Sequence, residues 1–177
     1  MCSSDLSAAM AYGNLGNLYS SQGRYSLAAE TYQKSRAAYQ EAGVKSGEGR
    51  ILHSLGNIQY YQGNFDLALR FYREALAIKQ ETGNVVEQAR TLNALGRLLT
   101  LQGEYALAEE HHRKSLAINE ASDTKAEIAR CYYSLGDLYA EKGDLPRAME
   151  HFRRGLALRS EEHTSELQSP CNLVCRL

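Results

Sequence analysis

Arg50, Arg90 and Arg130 stand 40 residues apart, and each opens a short stripe of polar or aromatic residues spaced 3–4–3. Arg50 is followed by His53, Asn57 and Tyr60, Arg90 by Asn93, Arg97 and Thr100, and Arg130 by Tyr133, Asp137 and Ala140. Met10, Gly13, Asn17 and Ser20 continue the pattern upstream. A 3–4–3 step puts all four members on one face of a helix. A guanidinium can take a carboxylate through two parallel hydrogen bonds, and an Asn amide can pair with a peptide backbone. The chemistry of this set is recognition of an extended polar or acidic ligand. A competing use exists within the chain, because Glu87 and Glu127 lie three residues before Arg90 and Arg130, where intrahelical pairs form.

No constellation for catalysis accompanies these stripes. There is no H-E-x-x-H, no phosphate-binding glycine loop after a strand and no G-x-S-x-G elbow. His111 and His112 are neighbours on a helix and point about 100° apart, so they do not share a metal easily. Cys131 aligns with Ala11, Ile51 and Thr91 and reads as a small packed residue. The expectation is a chain that is not an enzyme, with no metal and no cofactor.

The elements that must position the stripes are written in an internal repeat. Leu15-Gly16, Leu55-Gly56, Leu95-Gly96 and Leu135-Gly136 recur every 40 residues. Seven residues after each of these glycines comes Gly23, Gly63, Gly103 or Gly143. A bulky residue follows (Tyr25, Phe65, Tyr105, Leu145), then a small one (Ala28, Ala68, Ala108, Ala148) and a large one (Tyr32, Tyr72, His112, Phe152). Ala37, Ala77, Ala117 and Ala157 keep the same register. Within a unit, Leu52, Leu55, Gly56 and Gln59 share one helix face, and Phe65, Ala68, Leu69, Tyr72, Ala75, Leu76 and Lys79 trace a second helix, whose apolar face must bury against the first. The intervening glycine ends the first helix in the left-handed conformation, and Asn64 and Asp144 are expected as N-caps of the next. Gly56 and Ala68 are expected to let the two backbones approach closely.

The spacing predicts first helices over 7–21, 47–61, 87–101 and 127–141, and second helices over 25–41, 65–81, 105–120 and 145–159. No strand pattern occurs. A hairpin this small cannot bury its own apolar face, so neighbours must stack. The fold class is all-α: a right-handed α-α superhelix, or solenoid, of four helix-turn-helix repeats at about 7–46, 47–86, 87–126 and 127–158.

This arrangement resembles the tetratricopeptide repeat, with an aromatic position (Tyr12, Leu52, Leu92, Tyr132), then Leu-Gly, then a large residue, Ala and a ring at fixed offsets. The family's usual period is 34 residues; here it is 40, and Gln40, Gln80 and Glu120 stand where the family has proline. That variant is similar to the repeats of Pins-type adaptors and of bacterial signalling ATPases, kinases and caspase-like proteases. The resemblance implies a protein-interaction scaffold whose concave groove is lined by Asn17, Arg50, His53, Asn57, Tyr60, Arg90, Asn93, Arg97, Arg130, Tyr133 and Asp137. Its ligand would be a protein or peptide, acidic if the arginines are free. The family's chaperone-tail clamp needs Lys and Asn on the first groove helix; Asn17 matches, but Gly13 occupies the Lys place, so that clamp is not expected. The alternative is a regulatory or oligomerising segment of a multidomain signalling enzyme, stacking through its terminal repeats.

Composition agrees with an interaction module. A net charge of −1 over 177 residues argues against nucleic acid as a partner. No apolar run reaches the roughly 20 residues of a membrane span, and no signal peptide or disulfide framework is visible. A cytoplasmic setting is the expectation. The repeat stops matching after Leu158. Residues 159–169 and 172–177 can be encoded by a sequencing-library adapter, and residues 2–6 by the end of the partner adapter. The expected natural fragment is therefore about 7–158, with 1–6 and 159–177 non-native and Cys171 and Cys175 without meaning; residues 1–6 and 160–177 are expected to pack poorly, although 160–168 can continue the last helix by propensity alone.

Overall fold

The computed structural model describes residues 3–168 and the side chains of 6–160. Cys2, Cys171, Cys175 and the adapter-like residues 169–177 lie outside the described residues. The chain forms eight helices in order among the described residues: α1 (Ser3–Ser21), α2 (Tyr25–Glu41), α3 (Lys45–Tyr61), α4 (Phe65–Glu81), α5 (Val85–Leu101), α6 (Tyr105–Ala121), α7 (Lys125–Glu141) and α8 (Leu145–Gln168). No strand occurs among them, and the helices stack as a right-handed α-α solenoid. None is long and apolar enough to cross a membrane among the described residues.

The turn inside each hairpin is the one the glycines dictate. Gly63 has φ +78°, a conformation that costs a residue with a Cβ. Its N–H bonds the carbonyl of Tyr60 at 3.1 Å, and the next N–H, of Asn64, reaches back to Gln59 at 2.9 Å. These two bonds satisfy carbonyls left open at the end of α3. Asn64 does not cap α4 as expected; its amide donates instead to the Gln59 side chain at 2.9 Å. Asp144 does accept from the Arg147 N–H at 3.3 Å, and Asn84 caps α5 through the Glu87 N–H at 3.2 Å. The turns between repeats use Gly43 and Gly83 at φ +66° and +68°, and Asp123 at +48°. Because one residue reverses the chain there, α3, α5 and α7 start two residues earlier than the spacing suggested.

Each helix packs first on its hairpin partner, then each second helix packs on the first helix of the next repeat. Three buried clusters mark these junctions. Tyr32 and Tyr39 of α2 meet Leu55 and Ile58 of α3. Ala68 and Tyr72 of α4 meet Leu95 and Leu98 of α5. Leu99 and Ala108 meet Leu135 and Leu138 of α7. First helices also touch one another, α3 with α5 and α5 with α7, and so form one continuous inner layer.

Two packing expectations need correction. At Gly56 an added Cβ would lie 2.5 Å from a ring carbon of Tyr72, so the glycine seats a ring from the second helix rather than its backbone. Gly16, Gly96 and Gly136 seat Tyr32, His112 and Phe152 in the same way. Ala77, with Ala37, Ala117 and Ala157, faces solvent. The small residues that meet the first helix are Ser35, Ala75, Ser115 and Gly155, two positions earlier. The Ser35 and Ser115 hydroxyls donate to the backbone carbonyls of Ala9 and Ala89 at 2.6 and 2.7 Å.

Candidate functional site

The repeat register places the predicted stripes on the inner layer, where adjoining first helices bring equivalent residues together. Clefts run along it. One of about 330 Å³ is lined by Asn17, Arg50, His53, Glu87 and Arg90 among others. The next holds His53, Asn57, Arg90, Asn93, Arg97 and Arg130. Tyr60, Arg97 and Asp137 line a third with Thr100 and Leu101, and Asn17 and Asn57 line a fourth with Tyr61. Tyr133 lines none of these four. Its ring packs on Phe152 of α8, and its hydroxyl is buried without a hydrogen-bond partner.

The arginines divide into two kinds. Arg90 binds Glu87 of its own helix at 2.8 Å and Glu127 of the next repeat at 3.2 Å. Arg130 shares Glu127 at 3.2 Å. Glu127 is buried, so these bonds compensate a charge that could not stand there alone. The ladder is thus laced by carboxylates both within and between repeats, and only the intrahelical part was legible from i, i+3 spacing. Arg50 bonds the Tyr39 hydroxyl at 3.3 Å, and Arg97 lies over the Tyr60 ring, 5.2 Å from its centroid. Neither has a carboxylate partner within salt-bridge distance among the described residues.

The asparagines divide likewise. Tyr32 and Tyr72 donate their hydroxyls to the amide oxygens of Asn17 and Asn57, each at 2.7 Å. This holds each amide by its oxygen, and both side chains line the clefts. Asn93 is different: it is buried, bonded to His112 Nδ1 at 2.7 Å and donating to the Ser134 hydroxyl at 3.1 Å. Its polar groups are spent on holding α5, α6 and α7 together.

Lys79 was not singled out in the sequence as a site residue, yet it anchors the middle of the site. It is almost fully buried, and its ammonium donates to the Thr91 hydroxyl at 2.9 Å and to Glu87 at 3.2 Å. Burial lowers the Lys79 ammonium from its ordinary value, against the pull of Glu87. Burial alone would raise Glu87, but Lys79 and Arg90 hold it below the ordinary carboxylate value. His53 accepts or donates at Thr91 Oγ1 over 3.2 Å, and burial, with Lys79 beside it, pushes it down to about 3. The ring is therefore neutral in use. The 40-residue equivalents Tyr39 and Asn119 were the available signal for Lys79: a register position buried against the next repeat cannot carry an unpaired ammonium, and only Arg159, on the last helix, is exposed there. Asp137 is raised by burial, with Arg97 opposing. Among the described residues no group of three His, Cys, Asp or Glu side chains is placed to hold a metal.

Comparison with known proteins agrees with this architecture. A family model described as tetratricopeptide repeat matches residues 7–81 and 87–161. BtubC from P. vanneervenii is 25% identical and superposes with a TM-score of 0.76, over 88% of this chain and 64% of that one. Aspartyl phosphate phosphatase F from Bacillus subtilis is 14% identical with a TM-score of 0.82, over 89% and 42%. The Rap conjugation gene regulator of plasmid pLS20, solved in complex with the Phr* peptide, is 18% identical with a TM-score of 0.72, over 80% and 40%. The chain thus spans under two thirds of the length of each of these relatives. No curated protein matches the sequence.

Proposed function

Because the chain belongs to the tetratricopeptide repeat family, we propose that it is a protein-interaction scaffold that holds an extended acidic peptide, or a free C-terminal carboxylate, along its inner layer. The observation that carries this reading is that two arginines of the stripes, Arg50 and Arg97, have no carboxylate partner within salt-bridge distance among the described residues and line clefts of the inner layer, Arg97 together with Asn57. Arg50 offers a guanidinium to one acidic group and Arg97 to another. Asn17 and Asn57 donate to the peptide backbone between them, and Tyr60 with Leu101 supplies an apolar wall. Arg90 and Arg130 line the same path but are already neutralised by Glu127 and act as its frame. That a relative of the same fold is known in complex with a peptide is consistent with such a use.

Selection from a random peptide library tests the reading, with enrichment of Asp- and Glu-bearing sequences expected. Arg50→Ala combined with Arg97→Ala should weaken the selected peptide about three- to thirtyfold, the range expected for losing two exposed ion pairs. Arg90→Ala is the wrong probe, because it strands Glu127. Affinity should fall as salt rises. Enrichment of only basic or wholly apolar peptides would end the acidic-ligand reading and leave the scaffold reading standing.

A further inference from the structure

The cleft of about 330 Å³ is bounded by residues of α1, α2, α3 and α5, inside the array, and the charges around it do not balance. Four cations, Arg50, Lys79, Arg90 and Arg130, share two carboxylates, Glu87 and Glu127. Glu87 is held by Lys79 at 3.2 Å and by Arg90 at 2.8 Å. Glu127 is held by Arg90 and Arg130, each at 3.2 Å. Arg50 is left with the Tyr39 hydroxyl at 3.3 Å. The buried groups register the excess. Lys79 is lowered by burial, with Glu87 opposing and Arg90 and Arg50 adding to the fall. His53, on the wall of the cleft, is pushed down to about 3 by burial and then by Lys79, with Glu87 opposing and Arg90 adding. The same walls carry neutral groups able to donate, the Asn14 and Asn17 amides of α1 and the Ser54 hydroxyl of α3.

Gathered like charges repel, and an anion set among them relieves that repulsion. A carboxylate brings one negative charge and two oxygens. A phosphoryl group brings about −1.5 to −2 at pH 7 and three strong acceptor oxygens. A guanidinium meets it through paired hydrogen bonds. An excess of cations beside amide and hydroxyl donors fits the phosphoryl group better than the carboxylate. We propose that this cleft holds the phosphate of a phosphorylated side chain in the bound peptide. Arg50 takes two of its oxygens, and Asn14 and Asn17 donate to the third. Arg90 keeps its glutamates and contributes its field. This assignment rests on the acidic-ligand reading and names one of the acidic groups.

Three arrays of random octapeptides, alike except for a central phosphoserine, glutamate or serine, test this with the full chain at low salt. Retention should be about three- to tenfold stronger on phosphoserine than on glutamate, and weakest on serine. Arg50→Ala should bring the phosphoserine array down to the glutamate level. Asn17→Asp, which sets a carboxylate in the cleft, should do the same. Arg73→Ala removes an equal charge from the exposed face of α4 and should leave the preference intact. Far-ultraviolet circular dichroism verifies that each variant keeps its helices. Equal retention on phosphoserine and glutamate, both above serine, would overturn the phosphoryl site and leave the acidic-ligand reading standing. A phosphoserine preference that survives both Arg50→Ala and Asn17→Asp would overturn it too, by placing the group elsewhere. Equal retention on all three arrays, or binding of inorganic phosphate with no retention of peptide, would end both.

Discussion

At Gly56 a ring fills the space where a side chain would be. An added methyl would sit 2.5 Å from Tyr72, a buried side chain with no room to withdraw. Gly56→Ala should therefore lower the urea midpoint by the equivalent of about 1–3 kcal/mol, the usual cost of overpacking. Ala68 is fully buried on the facing helix, and Ala68→Leu should cost a similar amount. Ala77→Leu serves as the control: its position is exposed, and the change should stay within about 0.5 kcal/mol. His112 tests a different property of the same register. Burial, with His111 and Arg97 nearby, pushes it down to about 4 from 6.5. The unfolded chain takes up this proton near pH 6.5 and the folded chain only near pH 4. Its contribution to stability is therefore complete above pH 6.5 and declines as pH falls toward 4. His53, pushed down to about 3, adds a loss of the same sign over a longer interval. His112→Phe, which copies Phe152 of the fourth repeat, should give a shallower decline in urea midpoint between pH 7 and 5. It should also be less stable at pH 7, because the buried Asn93 oxygen loses its partner.

The elements are bounded by single residues in the left-handed region, and these are not equally suited to it. Gly43 and Gly83 turn the chain between repeats without strain, but Asp123 does the same work at φ +48° with a Cβ. Asp123→Gly should stabilise the chain by about 0.5–1 kcal/mol, the difference between a tolerated and a free left-handed residue less the entropy glycine loses. Differential scanning calorimetry would read this as a rise in Tm, and a fall would show that the Asp123 side chain holds the turn. The helices themselves depend little on caps. Asn84 and Asp144 cap α5 and α8 through their side chains, and other starts rely on backbone bonds such as Ala68 N–H to Asn64 and Ile128 N–H to Thr124.

Among the described residues the helix–helix packing joins neighbouring repeats, so stability is approximately a sum of hairpin terms and nearest-neighbour terms. The second and third repeats each have two neighbours, and the buried Lys79–Glu87 pair and the Arg90–Glu127–Arg130 chain lie at their junctions. Amide exchange should be slowest in α4, α5 and α6 and fastest in α1 and α8, a gradient that hydrogen-exchange mass spectrometry resolves helix by helix. Uniform protection would show that the array unfolds as one unit. Trimming to residues 7–158 should shift the melting midpoint by only a few degrees, since Leu6, Arg159 and Ser160 are exposed. A large loss would show that the ends belong to the fold.

The period of 40, the Leu-Gly pairs and the turn glycines determined the helical array before any coordinates, because local conformation and one-dimensional stacking are both short-range properties of a repeated string. The same register put the arginine stripes on one helix face. What stayed hidden depends on which side chains meet across different repeats. Gly56 pairs with Tyr72 and not Ala68, the buried small residue is Ala75 and not Ala77, and Glu127 binds Arg90 from 37 residues away. Stacking geometry alone set those distances. It turned a ladder of three equivalent arginines into two that are paired with Glu127 and one, Arg50, that is not, and it held the Asn17 and Asn57 amides by tyrosine hydroxyls while Asn93, at a different register position, became a structural clasp. A sequence repeat states that positions are alike; burial and neighbouring charge make them differ, because the free energy of a charge or an amide depends on what surrounds it.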